Sequence, residues 1–595
     1  MGDESQNFLR ERLHHALEAV QADLATDSAF ELVSAKDAPQ LLAECPTVWR
    51  KSFRILDKEW IVNVGLPRDF PDEAPIACIA DARDLVFKNP HIDARGFICT
   101  IPNSAAINSK DPAAIVRYVF DDAEKILKGT DPLDFRDEFT SYWNRSATLQ
   151  DQSIVLIDPP EQLGKRFVVV FCKEYICVAS SMERINSWIL NHTGKPSELK
   201  ASRLGLAISL NPPLLPGDYP NALRDLLTLA GTNDSSVADL IKEHVANGSE
   251  EGLVLLIQKE SEGVTLGGVI FPVLGHLRQS PEITRGFRLE KIPADLLRKR
   301  AVGMLASNAV IRRVVCRVDH QWIHSRGGDG RDLSKKSVLL IGCGSLGGYV
   351  AHLLSRAGIG HLTLTDNDNL GWENLGRHIL GASSVGRSKA EALAEELTRE
   401  MPHLSIKGIP KDWRDIFRSN PNLFAEYHLV VSTTGEWRCE RPLNELSRKI
   451  QMSPLVLGWL EPHAVAGHCL VVGPNGGCFE CAANEFGRFS QAVADFGKTP
   501  FSKEPGGCTH YQHYGPTALM PVASMIASIV VESLLSPSPD SFLNTWISSA
   551  EHFKSVEANL TEMWKPEVSR TGYSRICRKN WTKSNTCGVC AQKNS

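Results

Sequence analysis

The spacing of apolar residues changes several times along the chain, and each change predicts a different kind of element. Helical spacing predicts amphipathic helices at 8–24, 112–128 and 182–191, and an apolar helix at 518–535. Short apolar runs predict strands at 60–64, 76–79, 153–157, 166–172 and 253–258. From about residue 311 onward, strands and helices alternate towards the C-terminus. The pattern therefore predicts an α/β protein with more than one domain.

A chain of 595 residues is too long for one hydrophobic core. The changes of pattern predict an α+β domain at 1–150, a mixed α/β spacer domain at 151–310 and a Rossmann-like α/β domain at 311–595. The section 211–221 is rich in proline and glycine, which predicts a surface loop. The middle region contains no recognisable catalytic constellation, so we expect a spacer or docking domain there.

Composition narrows the class of protein. The net charge of −5 gives no broad basic surface, so we expect no nucleic-acid partner. The pattern shows no apolar stretch near the roughly 20 residues that cross a membrane. The acidic, polar N-terminus is not a signal peptide. Fifteen cysteines in such a chain indicate reduced thiols, metal ligands or nucleophiles. We therefore expect a cytoplasmic protein without a membrane partner.

The most informative stretch lies at 337–377. An apolar strand leads into the pattern Gly342-x-Gly344-x-x-Gly347, which is followed by helical spacing and by a second strand that ends at Asp366. Gly342 permits a tight turn, Gly344 lets backbone N–H groups approach a phosphate, and Gly347 lets the helix lie close to the sheet. Asp366 is placed to accept hydrogen bonds from a ribose. This strand–turn–helix–strand order predicts a nucleotide site.

The residues after Asp366 indicate which nucleotide binds. Asp368, Asn374, Arg377 and Lys389 follow in order. Arginine and lysine neutralise a triphosphate and a leaving pyrophosphate, and a carboxylate holds Mg²⁺. The set resembles the ATP site of the ThiF-type adenylyltransferases, the family that includes ubiquitin-activating enzymes. The resemblance implies ATP and Mg²⁺ as cofactors.

One departure from the family pattern concerns Mg²⁺. Family members carry an aspartate after the fourth strand, whereas this chain reads Ser-Thr-Thr-Gly-Glu at 432–436. Either Glu436 replaces the aspartate or Asp368 holds the metal alone. Arg438 and Asn444 follow at the family spacing.

The resemblance also implies a homodimer. Relatives are homodimers that supply an arginine to the partner's ATP. Arg317 and Arg326 either take that role here or form surface salt bridges.

Four cysteines form two close pairs, Cys478-x-x-Cys481 and Cys587-x-x-Cys590. Each turn directs two thiolates at one metal, and two turns complete a four-sulfur Zn²⁺ site. Members of the resembled family carry such turns on either side of a long insertion. Four thiolates leave no open position, so the zinc would be structural. The alternative is two independent turns.

Cys508 lies in a stretch with glycines before it and with His510 and His513 after it. An exposed loop near basic groups lowers a thiol pKa and favours a nucleophile. The alternative is a small buried apolar residue. In ubiquitin-activating relatives the thioester-forming cysteine is carried on a crossover loop at about this place.

Cys99 follows the sequence Asn89-Pro90-His91 and a glycine, a region that resembles the catalytic region of ubiquitin-conjugating enzymes. That family has His-Pro-Asn, whose asparagine supports the oxyanion. The order is reversed here, so the polar role falls to Asn89 or to His91. Cys78, in an apolar strand, is expected in the core.

The order of domains resembles the fused activating and conjugating enzymes of bacterial CBASS antiphage operons. The resemblance implies that a protein C-terminal carboxylate is adenylated, passed as a thioester from Cys508 to Cys99, and joined to an amine. The implied cargo is a cGAS-like nucleotidyltransferase, or else a ubiquitin-like protein. Alternatives are a sulfur-carrier-protein adenylyltransferase, an NAD-binding redox protein, and, for residues 1–145 only, a non-catalytic scaffold that binds a ubiquitin-like protein.

Overall fold

The computed structural model describes most of the chain. The described residues are 2–34, 36–55, 58–79, 91–93, 95–101, 110–129, 139–147, 152–196, 202–260, 263–288, 291–328, 330–450, 452–483, 489–497, 502–503 and 510–590. They divide into two compact units, Met1–Ile154 with Pro160–Val178 and Ser202–Cys316, and Val155–Pro159 with Ala179–Ala201 and Arg317–Ser595. Each unit is described by itself. The three-domain division at 150 and 310 stays a prediction.

The first sheet has five antiparallel strands in chain order. They are β1 (Phe30–Val33), β2 (Thr47–Ile55), β3 (Lys58–Leu66), β4 (Ile76–Ile79) and β5 (Phe97–Ile98). Helices α1 (Gly2–Leu24) and α2 (Pro112–Lys128) pack in the same core. Asp111 caps α2 by accepting a hydrogen bond from Ala114 N–H, and Pro112 occupies the first turn, where no N–H partner is needed. The predicted helix at 112–128 is thus confirmed to the residue.

The second sheet has eight strands in the order β12-β11-β10-β9-β7-β8-β6-β13. They are β6 (Ser153–Leu156), β7 (Arg166–Phe171), β8 (Tyr175–Ala179), β9 (Arg203–Leu210), β10 (Gly252–Glu260), β11 (Gly263–Phe271), β12 (Ile311–Arg313) and β13 (Val315–Arg317). The helices in the same unit as most of this sheet are α3 (Phe139–Ser146), α5 (Leu223–Asn233), α6 (Ser235–Asn247), α7 (Pro281–Thr284) and α8 (Ala294–Leu305). Helix α4 (Met182–Thr193) belongs to the second unit.

The prediction that 211–221 is a surface loop is wrong about the burial of two of its side chains. Leu214 and Tyr219 are buried and belong to the core of the second sheet. Proline and glycine correctly marked a turn, the 3-10 helix at Pro216–Asp218, but the apolar side chains between them point inward.

The third sheet has eight strands in the order β16-β15-β14-β17-β18-β19-β23-β25. The first five pair in parallel and the last three antiparallel. They are β14 (Ser337–Ile341), β15 (His361–Thr365), β16 (Ser405–Ile409), β17 (Leu429–Ser432), β18 (Leu455–Leu460), β19 (Ala466–Val472), β23 (Phe542–Ile547) and β25 (Arg575–Asn580). Two two-stranded sheets pair β20 (Ala494–Asp495) with β24 (Asn559–Leu560) and β21 (Ser502–Lys503) with β22 (His510–Tyr511).

Helices cover both faces of the third sheet. Val338 and Leu340 of β14 belong to one core cluster, and Leu339 and Ile341 belong to the other, as the alternation of side chains along a strand requires. The helices are α9 (His320–Gly327), α10 (Ser345–Arg356), α11 (Lys389–Glu400), α12 (Trp413–Ser419), α13 (Leu423–Glu426), α14 (Trp437–Lys449), α15 (Pro516–Leu535), α16 (Ala550–Ser555) and α17 (Lys565–Thr571). The predicted α/β multidomain fold is confirmed.

Short 3-10 helices complete the described secondary structure. They lie at Gln40–Leu42, Pro160–Gln162, Pro216–Asp218, Gly275–Gln279, Trp372–Asn374, Ala382–Ser384, Pro462–Ala464 and Phe479–Ala482.

Helix α15 corrects the expectation that no apolar stretch is long enough to cross a membrane. Its 20 residues pass that test by length and composition. The helix is mostly buried, however, and Leu519, Ile526 and Val530 lie in the core of the third sheet. The test therefore gives only weak evidence for a membrane span here.

Candidate functional site

The glycine turn lies between β14 and α10, beside β17. In a doubly wound sheet this is the point where strand order reverses and where ligands bind, at the carboxyl ends of the strands. Gly342 has φ of +92°, and an added Cβ would lie 2.9 Å from Thr434. At Gly347 an added Cβ would lie 1.9 Å from the carbonyl oxygen of Gly342. An added Cβ at Gly344 would meet no heavy atom within 4 Å beyond its chain neighbours, so space is open before the N-terminus of α10.

Two buried side chains that sequence reasoning missed support this turn. Thr433 Oγ1 donates to the Gly342 carbonyl at 2.9 Å. His378 Nε2 lies 2.7 Å from the Cys343 carbonyl, while its Nδ1 accepts from Leu380 N–H. This pairing requires the neutral imidazole with the proton on Nε2, and burial lowers the pKa of His378 accordingly.

Asp366 connects the turn to the end of β15. Its Oδ2 accepts from Cys343 N–H at 2.6 Å, and its Oδ1 accepts from Asp368 N–H at 2.8 Å. Each carboxylate oxygen keeps a further lone pair. The side chain is therefore fixed by the backbone and still able to accept hydrogen bonds from a ribose.

Asp368 and Lys389 form an ion pair, with Nζ to Oδ2 at 3.0 Å. The Lys389 side chain is only 11% exposed, whereas that of Asp368 is 66% exposed. The backbone N–H of Lys389, at the start of α11, also donates to the Asp368 carbonyl. A nearly buried cation is thus held by a carboxylate that faces solvent.

Arg377 and Tyr514 lie in the wall of a cavity of about 690 Å³. Arg377 donates to the Gln512 carbonyl at 3.1 Å, and its guanidinium lies 5.2 Å from the centre of the Tyr514 ring. The Tyr514 hydroxyl lies 2.8 Å from Ser345 Oγ on the first turn of α10. The cavity is lined by Glu373, Gly376, Arg377, Tyr511, Gln512, His513, Tyr514 and Gly515.

Asn374 has a local role. Its Oδ1 accepts from Gly371 N–H at 3.0 Å, and its carbonyl accepts from Arg377 N–H. Asn374 therefore shapes the turn that carries Arg377.

The turn after β17 holds a buried acid that sequence reasoning did not find. Glu436, the proposed replacement for the family aspartate, is exposed. Glu440 is only 2% exposed, and its Oε1 accepts from Gly435 N–H at 3.0 Å and from the Thr434 hydroxyl at 3.4 Å. Burial raises the pKa of Glu440 to about 8. No sequence pattern marks it, because its burial depends on how α14 packs.

The four cysteines of the two close pairs come together. The Sγ atoms of Cys478 and Cys587 are 3.6 Å apart, and those of Cys481 and Cys590 are 3.2 Å apart. All four Sγ atoms lie within 4.8 Å of one another. A tetrahedral Zn²⁺ with Zn–S bonds of about 2.3 Å places sulfurs about 3.8 Å apart, so the residues fit a zinc ion. The alternative of two independent cysteine turns is therefore wrong, because the two pairs form one cluster.

Nearby contacts hold the cluster. Cys481 Sγ accepts from the N–H groups of Cys478 and Ser584, and Trp581 Nε1 donates to the Cys478 carbonyl. Asn444, on α14, accepts from Phe479 N–H at 2.9 Å. Asn444 thus supports the cysteine cluster, while Arg438 is exposed at the start of α14.

Cys508 lies outside the described residues, as does Asn89. Cys99 is exposed and directly follows β5. Its N–H donates to the His91 carbonyl at 2.8 Å. Cys78 is buried as expected, and burial raises its pKa to about 12.

Arg317 and Arg326, which were expected to reach a partner subunit or to form surface salt bridges, make different contacts. Arg317 makes two hydrogen bonds to Asp319, and its side chain is only 9% exposed, so it forms a buried ion pair within the chain. The Arg326 guanidinium lies 3.9 Å from the centre of the Trp322 ring.

Two family models match the chain. The ThiF family matches residues 321–566, and prokaryotic E2 family B matches residues 49–150. The first range contains the glycine turn, the cavity and one of the cysteine pairs. The second contains Cys99 and α3.

Two relatives match over longer stretches and a third over a shorter one. The "ATP-dependent ubiquitin transferase-like protein Cap2" of Escherichia coli (strain TW11681) is 27% identical, over 64% of this chain and 68% of the relative. The Cap2 protein of Vibrio cholerae is 26% identical, over 74% of this chain and 79% of the relative. The molybdopterin-synthase adenylyltransferase of Escherichia coli (strain K12) is 31% identical, over 28% of this chain and 68% of the relative.

These matches confirm the resemblance to fused activating and conjugating enzymes and indicate an adenylating transferase that uses ATP. The chain therefore belongs to the ThiF family, with a prokaryotic E2 family B region on its N-terminal side.

Proposed function

We propose that this chain activates the C-terminal carboxylate of a protein with ATP, carries it as a thioester on Cys508 and then on Cys99, and joins it to an amine. The observation that carries the proposal is the glycine turn with Asp366, Asp368, Lys389 and Arg377 around one end of the sheet. The Cap2 matches, which extend beyond the ThiF region, support it.

The first step makes the carboxylate an electrophile. A carboxylate oxygen of the cargo attacks the α-phosphorus of ATP, the bond to the β-phosphate oxygen breaks, and pyrophosphate leaves. Asp366 accepts from the ribose, the open space at Gly344 admits the phosphates to the helix N-terminus, and Lys389 and Arg377 stabilise the charge on the leaving group. Mg²⁺ would be held by Asp368 or Glu436 and would neutralise phosphate charge.

The later steps exchange one sulfur for another. The Cys508 thiolate attacks the acyl-adenylate carbonyl and releases AMP. The Cys99 thiolate then attacks the Cys508 thioester and releases the Cys508 thiolate, an exchange between similar bonds. Finally an amine attacks the Cys99 thioester, which yields an amide, a free thiolate and a proton. The exposure of Cys99 suits a group that meets a second substrate.

The proposed cargo is a cGAS-like nucleotidyltransferase in bacterial antiphage defence, or else a ubiquitin-like protein. We further propose a cytoplasmic homodimer. Cys478, Cys481, Cys587 and Cys590 would hold Zn²⁺ with no open coordination position, so its role would be structural.

A second candidate is a sulfur-carrier-protein adenylyltransferase, because the molybdopterin-synthase relative has the highest identity of the three relatives given. That match covers only 28% of this chain and leaves the region with Cys99 without a role. A redox protein that binds NAD would show no ATP–pyrophosphate exchange.

The test is mass spectrometry of the enzyme after incubation with Mg·ATP and the nucleotidyltransferase. Thiol-sensitive adducts are expected on Cys508 and Cys99. Cys508→Ala should block both adducts and spare ATP–pyrophosphate exchange, and Cys99→Ala should keep the Cys508 adduct and lose the conjugate. An unchanged conjugate yield in Cys99→Ala would remove Cys99 from the mechanism.

A further inference from the structure

The backbone around Cys99 is connected by two hydrogen bonds to a buried tyrosine. Cys99 N–H donates to the His91 carbonyl at 2.8 Å, and His91 N–H donates to the Tyr142 hydroxyl oxygen at 2.8 Å. Tyr142 lies on α3, some fifty residues further along the chain, and is only 2% exposed. The position of the Cys99 amide is therefore linked to the position of α3.

Helix α3 is itself fixed in the core of the second sheet. Phe139 and Trp143, which flank Tyr142, are fully buried there, and their rings stack with centres 5.3 Å apart. Trp143 Nε1 donates to the Arg313 carbonyl at 2.9 Å. Beneath the indole lies Gly267, where an added Cβ would come within 2.6 Å of the ring. The helix cannot move without opening this core.

The segment that carries Cys99 needs such an anchor. His91 has φ of +67°, in the left-handed region that residues other than glycine rarely occupy, so its conformation must be held by neighbours. The adjoining strand β5 is only two residues long, Phe97–Ile98. Cys99 is exposed directly after it. Hydrogen bonds between Asp93 and Phe97 close the turn that follows His91, and the Tyr142 hydroxyl adds a contact from a distant helix at His91 itself.

We propose that Tyr142 is a positioning residue for Cys99. Its hydroxyl, held by the core of the second sheet, fixes the His91 backbone and through it the Cys99 backbone, so that the middle region of the chain serves as the anchor of the transfer site. Acyl transfer depends steeply on the placement of the attacking atom. This inference rests on the proposed function of Cys99 as an acyl carrier.

Tyr142→Phe tests the proposal because it removes the hydroxyl and keeps the ring in the core. Tyr219→Phe is the matched control. Tyr219 is also buried, its ring contacts Phe139 and Trp143, and its hydroxyl has no hydrogen-bond partner among the described residues. Both variants remove one buried hydroxyl from the same aromatic cluster, but only one hydroxyl holds His91.

In single-turnover assays, Tyr142→Phe should slow transfer from Cys508 to Cys99 about two- to tenfold, the effect of one net hydrogen bond. ATP–pyrophosphate exchange and the Cys508 adduct should keep the wild-type rate. Tyr219→Phe should match the wild type in all three assays. An equal slowing by both variants, or none by Tyr142→Phe, would overturn the proposal.

Hydrogen exchange of the peptide 91–101 gives a second readout that needs no cargo. Tyr142→Phe should speed amide exchange there severalfold, and Tyr219→Phe should not. If the wild type forms no thioester on Cys99, the proposed function fails, and hydrogen exchange alone then decides whether Tyr142 anchors the segment. Wild-type exchange in Tyr142→Phe would show that it does not.

Discussion

The glycine turn of the third sheet and the Cys99 segment of the first sheet hold their functional groups in different ways. The glycine turn lies within about 30 residues of continuous chain, with Gly347 packed against the Gly342 carbonyl, and Thr433 and His378 add support from outside it. The Cys99 segment is held through His91 by Tyr142, which belongs to the core of another sheet. The glycine spacing that defines the first site is local, whereas the link from Cys99 to Tyr142 joins regions distant in sequence.

This difference predicts different responses to substitution. A local motif should fail when its own backbone is crowded, and a remotely supported site should respond to changes in side chains far along the chain. The cysteine cluster belongs to the second kind, because its paired cysteines lie 109 positions apart, one pair inside the range matched by the ThiF family and the other after it.

The largest effect is expected at Gly347. Its added Cβ in Gly347→Ala would lie 1.9 Å from the Gly342 carbonyl oxygen, so the turn must open. We expect ATP–pyrophosphate exchange to fall on the order of 100-fold, with a lower melting temperature. Gly344→Ala is the matched control, since its added Cβ would meet no neighbouring heavy atom within 4 Å and its φ of −71° suits alanine.

Gly344→Ala should keep the melting temperature and still weaken exchange about tenfold, because the methyl group occupies the approach of the phosphate. Full exchange activity in Gly344→Ala would remove phosphate binding from this turn. If Gly347→Ala and Gly344→Ala lowered the melting temperature equally, the difference in packing around the two glycines would not explain their effects.

A smaller effect is expected at the cysteine cluster. Wild-type protein should contain about one zinc per chain by elemental analysis, and Cys590→Ser should lose most of it and unfold several degrees lower. Cys577→Ser is the control, because Cys577 is half-buried on β25 and lies outside the cluster. Wild-type protein that contains no zinc and melts at the same temperature as Cys590→Ser would contradict a structural zinc site.

The smallest effect is expected at Glu440 and depends on pH. Its pKa rises to about 8 in the fold against a reference of 4.5, so the folded protein keeps a proton that the unfolded chain releases. Stability from this group is therefore lost as pH rises from about 4.5 to 8. Glutamine has no such proton to lose, so the free energy of unfolding of Glu440→Gln should gain on that of the wild type between pH 6 and about pH 8.5. The expected gain is about 1 to 3 kcal/mol.

Melting temperatures of both proteins at the two pH values measure this difference. Glu436→Gln, at the exposed N-cap of the helix that carries Glu440, should show no comparable change. A constant difference between wild type and Glu440→Gln at both pH values would show that Glu440 titrates as an exposed acid.

The sequence by itself determined the features that depend on neighbours along the chain. The helix at 112–128, the strand–turn–helix–strand order around Gly342 and the α/β class all follow from periodicity and from glycine spacing, which are local properties. The two cysteine pairs were also visible, because each pair forms one short turn.

Only the tertiary structure decided which distant residues meet. It joined Cys478 to Cys587, buried Leu214 and Tyr219 within a segment predicted as a surface loop, and enclosed α15 in a core. Glu440, His378 and Tyr142 have no local signal, since the role of each comes from a partner or from burial that packing creates. Periodicity shows which face of an element is apolar, but the partner of a buried polar group is set by the packing of elements far apart in the chain.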